Sequence, residues 1–314
     1  MARAARGGAV LTEPLTQRPD VLVLAVGGTL GEAWMRGLLD GAGTAAGIDF
    51  RDCEYFVGTS AGSIVAAFLA AGRAPDSGAE ARAARDWADA AEGNGARPGR
   101  FKGVARLGLA AATPLAPLAL ASATPGGAAA RAAALRATPR TRRSMPGLGR
   151  MVDEAGARFD GRLRIVAVDR SNGRRVVFGA PGAPRARVGQ AVLASCSVPW
   201  IFAPVHIGDR EYVDGGVWSP TNLDVTPARR GTEVLCLNPT ASLAGTRTAF
   251  GALRAFSQSA AMAETLALRA RGATVRTIAP DARAAEAMGA NLMDRRRVDA
   301  ALAAGYAQGR ALAA

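Results

Sequence analysis

Lysine is nearly absent from this chain: Lys102 is the only one among 39 basic residues, and the remainder are arginines set in an alanine-rich background. A formal charge of +13 would ordinarily suggest nucleic acid or an anionic membrane. With arginine and alanine this abundant, it reads as coding bias as much as a selected surface. Aromatics make up only 5% of the residues and no recognition motif is visible, so no nucleic-acid partner is expected. Histidine is scarcer still. His206 is the only one, and it lies in the apolar alternation Pro204-Val205-His206-Ile207, where a packed or hydrogen-bonded strand histidine is the expectation in preference to a triad role. The three cysteines, Cys53, Cys196 and Cys236, form no C-x-x-C pair. They resemble small buried residues in a reducing compartment, and neither a metal nor a cofactor is expected.

Long apolar runs are also missing. Residues 1–20 show no apolar core followed by a cleavage signal and read as a loose arm, so export is not expected. Residues 104–123 are apolar but broken by Pro114 and Pro117, too interrupted for a membrane-spanning helix. The expectation is a cytoplasmic protein. Four arginine clusters, at 140–143, 174–175, 229–230 and 295–297, could hold it peripherally on an anionic membrane.

The residues that are present organise themselves clearly. Val21 to Val26 is a continuous apolar run ending at Gly27-Gly28, the pattern of a strand buried on both faces. Helical spacing follows over 31–39, and Gly41 and Gly43 are expected to end it. Tyr55-Phe56-Val57 is a second short strand, followed by a helix from Ala61 to about Gly72. Residues 73–150 carry no convincing strand and read as a mostly helical insertion, with helical patches at 79–91 and 128–136. Strands are expected again at 163–168, 175–178, 233–237 and 274–278, with a hairpin over 203–213. Helices are expected at 188–195, 248–271, 281–288 and 294–313, the last two capped by Asp281 and Asp294. Strand–glycine–helix units in succession predict an α/β fold, a mostly parallel central sheet with helices on both faces, spanning 21–314 with the insertion at 73–150.

Gly58-Thr59-Ser60-Ala61-Gly62 lies between a strand and a helix, the arrangement of a nucleophile elbow. Gly58 and Gly62 allow a tight turn that lifts the Ser60 hydroxyl clear of the sheet, and the following helix aims its N–H groups at the same place. A nucleophilic serine needs a base, and His206 is poorly placed to be one. Asp214 ends the strand Glu211-Tyr212-Val213 and is followed by Gly215-Gly216, whose backbone freedom lets a carboxylate turn toward a neighbouring loop. Two plainer readings stay open at this point: Ser60 as a helix cap, and Asp214-Gly215-Gly216 as a simple turn. The loop at Gly27-Gly28 and Gly31, with Asp49 about 20 residues on, could also cradle a dinucleotide, although the first glycine of that fingerprint is missing.

These blocks together carry a resemblance. The loop Val26-Gly27-Gly28-Thr29-Leu30-Gly31, the elbow around Ser60, the run from Ala194 to Val205, and Asp214-Gly215-Gly216 with Pro220-Thr221-Asn222 are similar, in order, to the patatin-like phospholipases. The resemblance covers roughly residues 20–280. It implies a lipid acyl hydrolase acting through a Ser–Asp dyad and an acyl-enzyme, with Ser60 as nucleophile, Asp214 as base, and the N–H groups of Gly27 and Gly28 as the oxyanion hole. Gly31, Gly58, Gly62, Gly215 and Gly216 would support those motifs. The implied partner is a lipid or ester substrate, and acyl transfer to an acceptor other than water would use the same residues. This chain departs from the family pattern twice: Val26 stands at the first loop glycine and Leu30 at a usually basic position. With the strong positive charge, these departures leave as the alternative a lipid- or membrane-binding protein on the same scaffold with little or no catalysis.

Overall fold

A computed structural model describes residues 14–75, 125–139, 141–242 and 249–314. The first strand, β1 (Val21–Leu24), is buried along its whole length, as its unbroken apolar run requires. It is followed by α1 (Gly28–Ala46), β2 (Tyr55–Thr59) and α2 (Ala61–Ala70). Helices α3 (Pro125–Ala137) and α4 (Pro146–Glu154) occupy the described part of the insertion. The expected helical patch at 79–91 and the apolar stretch 104–123 lie outside the described residues. The chain continues through β3 (Leu163–Asp169), β4 (Arg175–Phe178), α5 (Val188–Ser195), and the hairpin β5 (Val205–Ile207) and β6 (Arg210–Asp214). It ends with β7 (Glu233–Leu237), α6 (Ala249–Ala270), β8 (Thr274–Ile278), α7 (Ala282–Met288) and α8 (Val298–Ala313).

The strands form one sheet in the order β5-β6-β3-β2-β1-β7-β8, with β4 also paired to β3. Pairing is parallel from β3 through β2, β1 and β7 to β8, and antiparallel where β3 meets β4 and β6 and in the β5–β6 hairpin. This is the mostly parallel α/β sheet that the sequence predicts. The period-two alternation of side chains divides β1 between two cores. Leu22 and Leu24 join Trp34 and Leu38 of α1, Ile64 of α2 and Ala301 of α8 on one face. Val21 and Val23 meet Val57, Val234 and Leu268 of α6 on the other.

One expectation is corrected here. Gly41 and Gly43 do not end the first helix, which runs on to Ala46 and closes at Gly47 in the left-handed conformation (φ 68°). Gly41, with Gly37, serves helix packing instead. A Cβ on Gly37 or Gly41 would strike the carbonyls of Leu302 and Tyr306 in α8, and one on Gly305 or Gly309 would strike those of Trp34 and Leu38 in α1. Two G-x-x-x-G stripes therefore let α1 and α8 pack backbone to backbone. The Trp34 indole N–H donates to Gln308 Oε1 across the same seam at 2.9 Å. Asp281 caps α7 as expected, accepting from the Ala284 N–H. Asp294 instead caps only a short 3-10 turn at Arg295–Arg297 by accepting from the Arg296 N–H, and α8 begins after it at Val298 with no side-chain cap. Within the N-terminal arm, Leu15 is buried and its N–H donates to Leu312 O at 2.6 Å.

Candidate active site

Strand β3 brings the two halves of the site together. The last residue of β2, Thr59, sits opposite Val166, and the last residue of β6, Asp214, sits opposite the next position, Ala167. The chain segments leaving those strand ends, at Ser60 and at Gly215, therefore converge. A Cβ on Gly215 would collide with Val166 O and approach Thr59 Cγ2 to 3.0 Å, so glycine is what lets them come this close.

Ser60 adopts φ 52° and ψ −123°, a region that residues with a side chain rarely occupy. Holding it there costs on the order of 1–3 kcal/mol, which the surroundings must offset. They do so by fixing the backbone on both sides. The Ser60 N–H donates to Ser195 Oγ at 2.8 Å, and that hydroxyl donates on to Val166 O at 2.6 Å. Ser63 Oγ donates to Ser60 O at 2.6 Å. Gly62 lies directly against Leu24 O, and a Cβ there would overlap the β1 carbonyl. The turn thus lifts Ser60 to the start of α2, where it is 8% exposed. That is too little exposure for an ordinary surface cap.

Asp214 is more deeply set. Its Oδ1 accepts from the Gly216 N–H at 2.7 Å, and β3 sets it next to the elbow that carries Ser60. Burial pushes its carboxyl up to about 7, against the opposing pull of the hydrogen bonds from Ser60 and Gly216. No cation offsets the burial among these causes, which is why the shift survives. A carboxyl that changes charge near neutrality beside a serine hydroxyl is suited to taking and returning a proton.

The loop after β1 completes the cluster. Gly28 (φ 58°) begins α1, and Gly27 precedes it as the cap, with Gly27 O accepting from the Gly31 N–H at 2.9 Å. The first N–H groups of a helix have no acceptor within it and carry the positive end of its dipole, so this turn offers donors to an anion. The two departures from the family pattern have structural roles. Val26 packs against Gly216, with Val26 Cγ1 2.9 Å from where a Cβ would stand, and its N–H donates to Pro220 O at 3.0 Å. Leu30 is fully buried in the core and its N–H donates to Leu292 O at 2.9 Å. Each anchors the loop by packing.

The remaining candidates fall elsewhere. The His206 side chain is 73% exposed and its Nε2 lies 3.2 Å from Glu211 Oε1, on the edge hairpin and away from Ser60. Asp49 accepts from the backbone and the guanidinium of Arg51 and serves as the cap of the turn at Phe50–Asp52. All three cysteines are buried and free, and Cys196 lies beside the Ser60 and Ser63 hydroxyls. Of the arginine clusters, Arg175 forms a two-pronged pair with Asp224, and Arg296 pairs with Asp294. Among the described residues no group of His, Cys, Asp and Glu is placed to hold a metal ion, and no helix is long and apolar enough to cross a membrane.

The model of one protein family, patatin-like phospholipase, matches residues 22–227, a span that includes β1, the elbow and the Asp214 loop. The chain belongs to the patatin-like phospholipase family. Membership brings with it, broadly, the lipid acyl hydrolase activity of that family. No curated protein matches the chain.

Asn222 and Ser195 lie in blocks that carry the family resemblance but have no role assigned from sequence, and Glu264 is not singled out there at all. Asn222 is fully buried in the left-handed conformation (φ 49°), and its Nδ2 reaches Thr59 Oγ1 at 3.2 Å and Gly215 O at 3.3 Å. Glu264 accepts from Thr221 Oγ1 and from the Leu223 N–H, and burial together with nearby Asp224 holds its carboxyl above the usual range. One signal for Glu264 exists in the sequence: it is the only acidic residue of α6.

Proposed function

We propose that this patatin-like protein hydrolyses carboxylic esters of lipids through a Ser60–Asp214 dyad and an acyl-enzyme. The observation that carries the proposal is the convergence across β3 of a serine held at positive φ and a buried carboxyl of raised pKa. In the first half-reaction Asp214 accepts the Ser60 proton as Oγ bonds to the acyl carbon, and the carbonyl electron pair moves onto its oxygen. The backbone N–H groups of Gly27 and Gly28 are the donors for that oxyanion. Collapse of the tetrahedral intermediate breaks the ester C–O bond, and the departing alkoxide takes the proton from Asp214. In the second half-reaction water loses its proton to Asp214 and attacks the acyl-enzyme. Collapse of the second intermediate frees the carboxylic acid and returns the proton to Ser60 Oγ. Every proton is accounted for by Asp214 alone.

The dyad makes a specific demand on pH. The base must be ionised, and burial favours its neutral form, so kcat/KM for a medium-chain p-nitrophenyl ester should rise with pH, pass its midpoint near 7 and level off above it. A rate independent of pH across that range, or one that falls, would contradict Asp214 as the base. The same profile measured with His206→Ala should be unchanged, since His206 is exposed and paired with Glu211 on the edge hairpin.

A further inference from the structure

Glu264 is the only carboxylate in the 22 residues of α6, and it points inward. Its Oε2 accepts two hydrogen bonds at once, from Thr221 Oγ1 at 2.6 Å and from the Leu223 N–H at 2.7 Å. Between these two donors stands Asn222, whose φ of 49° is a conformation that asparagine adopts more readily than other residues with a side chain, and still only when held. The Asn222 amide is the junction of the site. Its Nδ2 donates to Ser219 O at 2.6 Å, and reaches both Thr59 Oγ1 and Gly215 O. Its Oδ1 accepts from Arg175 Nη1 at 3.2 Å, while Arg175 is itself fixed by Asp224. Thr59 immediately precedes Ser60, and Gly215 immediately follows Asp214. One side chain thus spans the two backbones that carry the proposed nucleophile and base.

We infer that Glu264 is a positioning residue for ester hydrolysis: by gripping Thr221 and Leu223 it fixes Asn222, which sets the spacing between Ser60 and Asp214. The inference rests on the dyad proposed above. Glu264 touches neither Ser60 nor Asp214 in this network, so it acts on the alignment of the reacting groups and not on substrate binding. Misalignment of about 1 Å by a change remote from the chemistry can cost about 100-fold in rate.

The test compares Glu264→Ala, Glu264→Gln, Thr221→Val, Asn222→Ala and the Glu264→Ala/Asn222→Ala double variant, with Ser60→Ala alongside, on a p-nitrophenyl ester. Turnover is counted per site titrated with a p-nitrophenyl alkylphosphonate, which removes unfolded protein from the comparison, and for Ser60→Ala, which has no nucleophile to titrate, per folded chain. Glu264→Ala should lower kcat by roughly 10- to 100-fold with KM within about twofold. Glu264→Gln keeps a side-chain oxygen that can accept both bonds, and should recover most of the rate. Thr221→Val removes one of the two bonds at nearly constant volume, should give an intermediate loss, and keeps the inference testable if Glu264→Ala does not fold. Asn222→Ala should match Glu264→Ala, and the double variant should be little worse than either, because both act through one junction. Full kcat per titrated site in Glu264→Ala or Thr221→Val would overturn the inference. So would losses that multiply in the double variant. Wild-type turnover in Ser60→Ala would overturn the dyad itself, an outcome distinct from an inactive Ser60→Ala beside a fully active Glu264→Ala.

Discussion

Ser60→Ala should abolish ester hydrolysis, lowering kcat by on the order of 10⁴- to 10⁶-fold, while the protein stays folded. The size follows from what is lost. Without Oγ there is no acyl-enzyme, and the remaining donors and apolar surroundings can assist only direct attack by water. The structural cost is small, because the change removes one hydroxyl from a residue whose place is set by its backbone. The Ser60 N–H still donates to Ser195 Oγ and the Ser60 O still accepts from Ser63 Oγ. Alanine at φ 52° is no less strained than serine, so the elbow gains no relief. Thermal denaturation should therefore give a Tm close to that of the wild type, and p-nitrophenolate release should fall to the rate of buffer. Substantial turnover in a folded Ser60→Ala protein would place the chemistry elsewhere.

Asp214→Asn should also inactivate, by about 10²- to 10⁴-fold, the range assigned to a positioned general base. It should do so while stabilising the protein at alkaline pH. The amide oxygen can keep accepting from the Gly216 N–H, so the turn at Gly215-Gly216 is retained. What disappears is the cost of a buried charge. With the folded carboxyl near 7 and the ordinary value at 3.8, the neutral acid is the form the fold favours. That contribution to stability is complete below about pH 4 and is lost as pH rises through 7, reaching roughly 4 kcal/mol well above it. Asp214→Asn escapes the loss. Its Tm should exceed that of the wild type at pH 8.5, and the two should draw together near pH 5. Loss of activity with a gain in alkaline stability separates a chemical role from a merely structural one, in which both would fall.

The opposite movement of rate and stability also explains why the site sits where it does. Above neutrality the proposed mechanism needs Asp214 charged, and the fold resists it. The strained Ser60 adds to the same burden. The compensating order is supplied nearby, by Ser195 beneath the elbow and by Asn222 between the two loops. The close packing of α1 on α8 holds the helix whose first turn faces the site.

Much of this fold was legible because local pattern and tertiary burial agree. The run Val21 to Val26 and the strand before Ser60 are apolar on both faces, as strands inside a parallel sheet must be, and glycine marks the turns that follow. The end of α1 was misread for a definite reason. Gly41 and Gly43 look like breakers when only the local chain is considered, whereas Gly37 and Gly41 are selected by the backbone of α8, more than 250 residues away. Ser60 and Asp214 could be singled out because each joins a strand end to flanking glycines. Asn222 stands in a block that carries the resemblance, yet its reach to Thr59, 163 residues away, is invisible in local spacing, as are the contacts of Glu264 with Thr221 and Leu223, 43 and 41 residues away. His206 illustrates the converse: the residue type most associated with serine hydrolases is present, and its place on an exposed edge hairpin removes it from the chemistry.

The most direct test is to treat the protein with a p-nitrophenyl alkylphosphonate and locate the adduct by mass spectrometry of its peptides. The dyad requires one phosphonyl group per chain, bonded to Ser60 Oγ with release of one equivalent of p-nitrophenolate, at a rate that rises through pH 7. In Asp214→Asn the same adduct should form at least about 100-fold more slowly. An adduct on another residue, an active enzyme that takes no adduct, or labelling of Ser60 at equal rates in the wild type and Asp214→Asn would contradict a Ser60 nucleophile served by Asp214.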